Sequence, residues 1–328
     1  MSIDESQEGK AAAPPRAPNR TLSIIVPVRN QPRPLKRLLD NLKAQKSPPG
    51  WDVEIIVVEN KSTDNTLDVI RASGVRYAIC EELGPGAARN LGVKLAHGAL
   101  LYFVDADICP IQDEHLVRIV GIAQRLMQQG PLGAFGGAIL LPRHQRWNPI
   151  AIGDHWACWF NWHPKRSPQR SSLFQPGGCL VMLRKVFDAA GGLDPSIRVL
   201  EDMELENRLM RRGLPIYFTP GLTVTHEARS SLLQSWRHSW YWGGPFRSGY
   251  LTEAKNYPLK YPVGHKRFAL NLPMLFRRRL WLVSRAAWAN SKWQAIYGFP
   301  FYALTIFVWT LGVIWGPDQP CAHQKAPK

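Results

Sequence analysis

The sequence predicts a three-layer α/β/α fold of the Rossmann-like kind, followed by a helical region of different character. Three observations point there. Short β-branched runs alternate with helical patterns through the first third of the chain. A pair of carboxylates, Asp105 and Asp107, stands just past the fourth apolar run. Beyond Arg229 the composition turns basic and aromatic.

The first run, Ser23-Ile24-Ile25-Val26-Pro27-Val28, has the composition of a strand buried on both faces. From Pro34 to Gln45, Leu35, Leu38, Leu39 and Leu42 recur at the spacing of one helix face. Val53 to Val58 reads as a second strand, with Ser62 and Thr63 capping a helix through Ala72. Val75 to Ile79 is a shorter third strand. Gly84-Pro85-Gly86 opens a helix over Ala87 to Ala96, and Leu100 to Val104 is the fourth strand. This alternation predicts a parallel sheet, whose ligands bind beyond the carboxyl ends of its strands. Further on, Ala134 to Leu141 and Cys179 to Leu183 look like strands joined by a Trp-rich loop through Trp147, Trp156, Trp159 and Trp162. A helix from about Glu201 to Arg212 ends at Gly213, a suitable C-cap. There is no internal repeat.

The 328 residues carry a formal net charge of +16, unevenly spread: from Arg229 onward there are 14 basic and 2 acidic residues. Such a segment suits anionic lipid or phosphorylated substrates, and its aromatic content argues against nucleic acid. The five cysteines are widely separated, with no CxxC pair or metal-like spacing, so neither a disulfide framework nor a zinc site is expected from the sequence, and the pattern fits reduced thiols. Residues 1–20 are polar and Ala/Pro-rich and read as a disordered leader with no signal core.

Asp105-Ala106-Asp107 is the most informative triplet. Two hard oxygen donors at the ligand edge of a parallel sheet suit Mn²⁺ or Mg²⁺, shared with substrate phosphates; the plainer alternative is an acidic pair capping the next helix. Around it lie Ile25-Val26-Pro27-Val28-Arg29-Asn30, Val57-Val58-Glu59-Asn60-Lys61-Ser62-Thr63-Asp64, Gly84-Pro85-Gly86-Ala87-Ala88-Arg89-Asn90-Leu91-Gly92, and Glu201-Asp202. Taken together, in this order from about Thr21 to His226, these segments resemble the inverting family-2 glycosyltransferases, which have the GT-A fold.

The resemblance implies roles residue by residue. Pro27, Arg29 and Glu59 would hold the base of a nucleotide-sugar donor, a UDP-, GDP- or dTDP-sugar. The family more often has Asp at Glu59 and a Gly near Lys61, which leaves the base open; the alternative for Glu59 is a solvated loop carboxylate. Arg89, whose guanidinium can fork onto phosphate, and Asn90 would contact the donor. Asp105 would face the ribose or bind through water, and Asp107 would be the main metal ligand. Gly178, with Gly177, would let backbone pass close to donor sugar and acceptor. Asp202 would be the general base that takes the acceptor hydroxyl's proton, against the alternative that both acids merely stabilise a helix N-terminus. His226 stands where some members supply an imidazole to the metal, although a lone histidine is more often structural.

Residues 21–229 are therefore expected to form the GT-A domain, and 230–328 a basic, aromatic helical region. Ile296 to Trp315 is almost wholly apolar and about the length of a membrane span. Trp293 and Trp315 sit at its ends, and Arg277-Arg278-Arg279, Arg285 and Lys292 precede it. Pro300, Gly298 and Gly312 leave open a helix lying flat in the interface. Either reading places the protein on the cytoplasmic face of a membrane, single-pass or monotopic, with an anionic membrane surface as partner. Trp236, Trp240, Tyr241, Trp242 and Phe246 could stack on sugars or sit at headgroup level. Gln234-Ser235-Trp236-Arg237-His238 matches imperfectly the Gln-x-x-Arg-Trp signature of polymer-forming synthases, and processive synthesis is not expected. The reading is transfer of a sugar to a glycan or lipid-linked acceptor of the cell envelope. The alternatives are a sugar-phosphate nucleotidyltransferase and a non-catalytic glycan- or lipid-binding scaffold.

Overall fold

The computed structural model describes residues 20–167, 169–171, 174–256 and 272–317. The leader expected over residues 1–20 lies, Arg20 excepted, outside the described residues, as does Cys321.

The strands are β1 (Thr21–Val28), β2 (Asp52–Glu59), β3 (Arg76–Ile79), β4 (Leu100–Val104), β5 (Ile108–Pro110), β6 (Ala134–Leu140), β7 (Gln169–Ser171), β8 (Cys179–Leu183) and β9 (Ile216–His226). They form one sheet in the order β3-β2-β1-β4-β8-β6-β9-β5, with β7 paired to β9. The half from β3 to β4 is parallel, as the alternation predicts. The other half is mixed: β8 runs antiparallel to both β4 and β6, while β6 and β9 are parallel.

Strand alternation sorts the core into two layers. Leu22, Ile24, Val26 and Val28 of β1 point to one face, with Leu100, Tyr102 and Val104 of β4. There they meet the apolar faces of α1 (Pro32–Ala44), α2 (Thr66–Ser73) and α4 (His115–Gln129). Ile25, Leu101 and Phe103 point to the other face, against α3 (Pro85–Leu95), α6 (Arg184–Ala190) and α7 (Glu201–Arg211). Each fully buried Leu or Ile adds roughly 1.5–3 kcal/mol of transfer free energy.

Two expectations are corrected. The Trp-rich loop is instead a helix, α5 (Pro149–Trp159). Asn148 caps it, its Oδ1 accepting from the N–H groups of Ile150 and Ala151 at 3.0 Å, and Pro149 occupies the first turn, where no N–H is needed. Being apolar nearly all round, it shows no stripe that periodicity could detect.

The second correction concerns the membrane segment. No helix among the described residues is long and apolar enough to cross a membrane. The run Ile296 to Trp315 breaks at Gly298 into α10 (Lys292–Tyr297) and α11 (Phe299–Trp315). The 17 residues of α11 rise about 25 Å, short of a bilayer core of about 30 Å. Much of its apolar surface serves protein packing. Tyr302, Ile306, Trp309 and Val313 are buried, together with Thr305 and Thr310, against α5, α8 (Leu232–Asn256) and α9 (Leu272–Asn290). A Cβ at Gly312 would lie 2.4 Å from the Trp240 carbonyl oxygen, so glycine lets α8 and α11 approach backbone to backbone. Of the Arg277-Arg278-Arg279 run, Arg279 turns inward: its guanidinium lies 3.9 Å from the Trp309 ring centroid and donates to the Ala157 carbonyl at 2.9 Å. Phe246 packs on Trp309 and Trp242 on His238, within the helical layer. The membrane-attachment segment, the membrane-associated fold region, and the single-pass or monotopic location that rested on them are not supported.

Burial also sets a pH response. His115 is fully buried, its Nε2 3.2 Å from the Tyr102 hydroxyl, and loss of hydration, with Arg118 adding, pushes its pKa down to about 3. The folded value lies below the unfolded one of about 6.5, so unfolded chains bind the extra proton between them. The contribution is full above pH 6.5 and is lost as pH falls towards 3. Other buried groups titrate over the same range, so the informative quantity is a difference. Between pH 7 and pH 5 the stability of His115→Gln relative to wild type, from urea unfolding, should shift by about 2 kcal/mol in the variant's favour. A constant gap would mean that His115 is not held neutral.

Candidate active site

The site forms where β1, β2 and β4 end. Asp105 follows the last residue of β4, and the antiparallel pairing of β8, with Val104 opposite Cys179, brings the Gly177–Gly178 turn against it. The Asp105 N–H donates to the Gly178 carbonyl at 3.3 Å. A Cβ at Gly178 would lie 2.6 Å from Asp105 Oδ2, so only glycine fits beside the carboxylate. Asp202 sits on the other side of the same turn, its Oδ2 accepting from the Gly177 N–H at 2.6 Å.

Arg89 joins these pieces. It lies on α3, buried, with one guanidinium nitrogen on Asp105 Oδ1 at 2.7 Å and the other on Glu201 Oε1. Burial opposes its charge, but the carboxylates of Asp105, Glu201 and Asp202 outweigh that and hold it protonated. Asp105 is pushed up by loss of hydration; Arg89 pulls it back and the charge of Asp107 adds to the rise. Glu201 is pushed up to about 7 by burial, with Asp202 adding and Arg89 opposing. Arg89 is thus a strut between the Asp105 triplet and the Glu201-Asp202 pair, with neither fork of its guanidinium facing open solvent.

The second carboxylate has other neighbours. β5 pairs with β9 so that Ile108 lies opposite His226, which brings His226 Nε2 to 3.8 Å from Asp107 Oδ2. Gln31 donates to the same oxygen at 3.1 Å. The Trp159 indole N–H, from the last residue of α5, donates to His226 Nδ1 at 3.3 Å. In a neutral imidazole that bond assigns the proton to Nε2, facing Asp107; for Nε2 to act as a metal donor the proton would move to Nδ1, at the expense of the Trp159 bond. Glu227 borders a cavity of about 190 Å³ beside Asp107, bonding Arg37 at 3.0 Å and reaching His144 at 3.2 Å. A larger cavity, about 950 Å³, lies between α9 and Phe299 and touches none of these residues.

The loops after β1 and β2 are tied together. Asn30 Oδ1 accepts from the Thr63 N–H at 2.7 Å, and the Asn30 N–H donates to Ser62 Oγ at 3.0 Å. Glu59 is buried, not solvated, and its carboxylate caps the turn at the Ser62 N–H. Pro27 pairs in register with Val58. Arg29, partly buried, has an Nε with no partner. Asn90 is latched at both ends to the backbone of Leu193, donating at 2.7 Å and accepting at 3.0 Å, so it fixes the loop before Glu201. Among the described residues, three other than glycine adopt the left-handed region: Asn30 (φ 55°), Lys61 (φ 58°) and Leu200 (φ 68°). All three lie in loops that build this site, and Leu200 immediately precedes Glu201.

Sequence reasoning missed Gln31, Trp159, Asn60 and Glu206. Asn60 bonds the Glu82 carbonyl at 2.7 Å and the Gly84 N–H at 2.9 Å, holding the turn that opens α3. Glu206 is fully buried behind Asp202, raised well above the usual carboxylate range by burial and by Asp202, and accepts from the Gln175 N–H. No spacing signal marks any of them; Asn60 alone falls within a quoted motif. The donors at Asp107 fit a divalent cation: Asp107 Oδ2 is approached only by a neutral amide and an imidazole, and a second carboxylate stands two residues away.

Two substitutions test this geometry. Arg89→Ala leaves the buried Glu201 and the partly exposed Asp105 without their cation and should cost about 3 kcal/mol in chemical unfolding, the lower end for a broken buried pair. Gly178→Ala should displace Asp105 and lower kcat/KM at least ~10-fold, about 1.4 kcal/mol, with the far-ultraviolet circular dichroism unchanged. A fully active Gly178→Ala enzyme would mean that the position of Asp105 is not critical.

Comparisons with known proteins bear on the family and the fold. Residues 23–191 match the family model described as glycosyl transferase family 2. The O-antigen biosynthesis protein RfbC of Myxococcus xanthus is 28% identical over 231 residues, 64% of this chain and 17% of that protein. The poly(ribitol-phosphate) beta-glucosyltransferase of Bacillus spizizenii is 35% identical over 123 residues, 35% of this chain and 19% of that protein. The chain thus spans less than a fifth of the length of either relative. The mannosyltransferase PcManGT from Pyrobaculum calidifontis, solved in complex with GDP-Man and Mn²⁺, superposes with a TM-score of 0.56 at 17% identity, covering 92% of this chain and 88% of that one, which shows a shared fold. The match sets aside the sugar-phosphate nucleotidyltransferase alternative: a family model that covers more than half of the chain, over the segment that builds the Asp105 and Gly178 contacts, makes this protein a member of glycosyl transferase family 2.

Proposed function

We propose that the protein transfers a sugar from a nucleotide-diphosphate-sugar to an acceptor hydroxyl, with Mn²⁺ or Mg²⁺ held at Asp107. The observation that supports this reading is that Asp105 and Asp202 flank one glycine turn, with Asp107 two residues beyond Asp105, while Arg89 ties the elements that bear them. Asp202 is the base: its Oδ2 is held by the Gly177 N–H at the site's edge, positioned to accept the hydroxyl proton as that oxygen attacks the anomeric carbon in line. Asp105, steadied by Arg89, lies on the ribose side, and Gly178, packed against it, lets the backbone come close beside it. Pro27, Arg29 and Glu59 line the loops that receive the base. When bound, the cation neutralises charge developing on the departing nucleotide diphosphate. Gln31 holds Asp107 in place, and His226 joins the metal's donors when its Nε2 is free of its proton.

A cell-envelope or lipid-linked glycan is the acceptor class. Its support is the named chemistry of the relatives, O-antigen biosynthesis and poly(ribitol-phosphate) glucosylation. The mannosyltransferase that shares the fold was solved with a GDP-sugar and Mn²⁺, which makes GDP-sugars the first donors to try among the UDP-, GDP- and dTDP-sugars.

The test is release of nucleotide diphosphate from a donor panel with Mn²⁺, Mg²⁺ or a chelator. Metal-dependent release from one donor class is expected. Asp107→Ala should abolish transfer, and Asp202→Asn should abolish transfer while leaving donor affinity, read by calorimetry, within about twofold. Silence across the panel, with no nucleotide binding, would move the protein to a non-catalytic glycan-binding role.

A further inference from the structure

A second cluster of ligating side chains lies behind the active site, in the helical layer. Asp154 and Cys158 are one turn apart on α5, and His238 faces them from α8; one ligand atom from each lies within 4.8 Å of the other two. Asp154 is fully buried. Its Oδ2 accepts from the Arg229 N–H at 3.1 Å and lies 3.3 Å from the Arg229 guanidinium, but its Oδ1 has no partner. His238 Nδ1 likewise has none. A buried carboxylate oxygen left bare costs free energy that the fold would ordinarily avoid by adding a donor. Here the neighbours are instead a thiol and an imidazole, the side chains that bind borderline metals.

We propose that Asp154, Cys158 and His238 form a binding site for a zinc-like divalent cation, distinct from the one at Asp107. The donor set, one oxygen, one sulfur and one nitrogen, favours Zn²⁺ over the Mg²⁺ or Mn²⁺ suited to carboxylates alone. A tetrahedral ion about 2.3 Å from sulfur and about 2.0–2.1 Å from nitrogen and oxygen holds such atoms roughly 3.3–3.6 Å apart. The cluster therefore needs to contract by little more than 1 Å, within reach of side-chain rotation alone. Binding expels the Cys158 thiol proton to solvent, so carboxylate and thiolate balance the ion's two charges and Arg229 stays paired to Asp154. A water completes the tetrahedron. The ion would pin α5 to α8. Because Trp159 follows Cys158 directly and holds His226, the pin would also steady the histidine beside Asp107.

The experiment uses the full chain carrying Asp107→Ala, stripped with chelator and titrated with Co²⁺. One Co²⁺ per chain is expected, with a thiolate-to-cobalt charge-transfer band and tetrahedral visible absorption, and Zn²⁺ should displace it. Cys158→Ser should lose the charge-transfer band, and His238→Ala should weaken binding at least ~10-fold. The near-isosteric serine variant keeps the fold, checked by circular dichroism, and Cys109→Ser, altering the free thiol beside the Asp107 cavity, should leave the band intact. No band in the parent, or a band unchanged by Cys158→Ser, overturns the proposal. Neither result depends on whether transfer from a nucleotide-sugar is observed.

Discussion

The site depends on one buried cation. Arg89 is almost completely removed from water and is held there by Asp105 on one side and Glu201 on the other. A guanidinium in that position depends on its carboxylates, and the buried Glu201 depends on the guanidinium in turn, while Asp105 keeps part of its surface in water. Three segments far apart in sequence are thereby locked into one arrangement: the helix after the third strand, the acidic triplet after the fourth, and the start of α7. Lysine is a poor substitute, since its single compact ammonium lacks the two separated nitrogens with which the guanidinium reaches Asp105 and Glu201.

The sheet makes that arrangement possible. A purely parallel sheet would set a helix next to β4. Inserting β8 antiparallel instead delivers the turn that precedes it, Gly177–Gly178, to the same edge as Asp105. The reversal brings Asp202 and Asp105 to opposite sides of one glycine turn. At the other side, the short β5 pairs to β9 and sets Asp107 against His226.

Much of this was legible in the sequence, for identifiable reasons. β1, β2 and β4 are β-branched runs buried on both faces, which composition reveals, and α1 carries its four leucines at helical spacing. Asp105, Asp107 and Asp202 stood out in the sequence because their segments occur in a fixed order, and the folded chain gathers them at one end of the sheet. The direction in which Arg89 points was not legible, because its partner Glu201 is 112 positions away and only the folded chain brings them together. Gln31 and Trp159 were missed for the same reason. The apolar run at Ile296 misled because the inside of a helical layer and the inside of a bilayer select similar side chains. What distinguishes them is helix length after the break at Gly298, and the buried hydroxyls of Thr305 and Thr310, which bond within the protein.

The three left-handed residues carry a consequence for any effort to make the protein sturdier. Asn30, Lys61 and Leu200 hold conformations that glycine adopts freely. Random mutagenesis screened for heat resistance would therefore collect glycine at Lys61 and Leu200, relieving on the order of 1 kcal/mol each, whereas at Asn30 the loss of the acceptor for the Thr63 N–H offsets the gain. The same exchanges would loosen the loop that follows β2 and the start of α7 at Glu201. Selection for stability and selection for turnover would pull these two codons in opposite directions, and a library scored for both should keep them unchanged while the surface around them drifts.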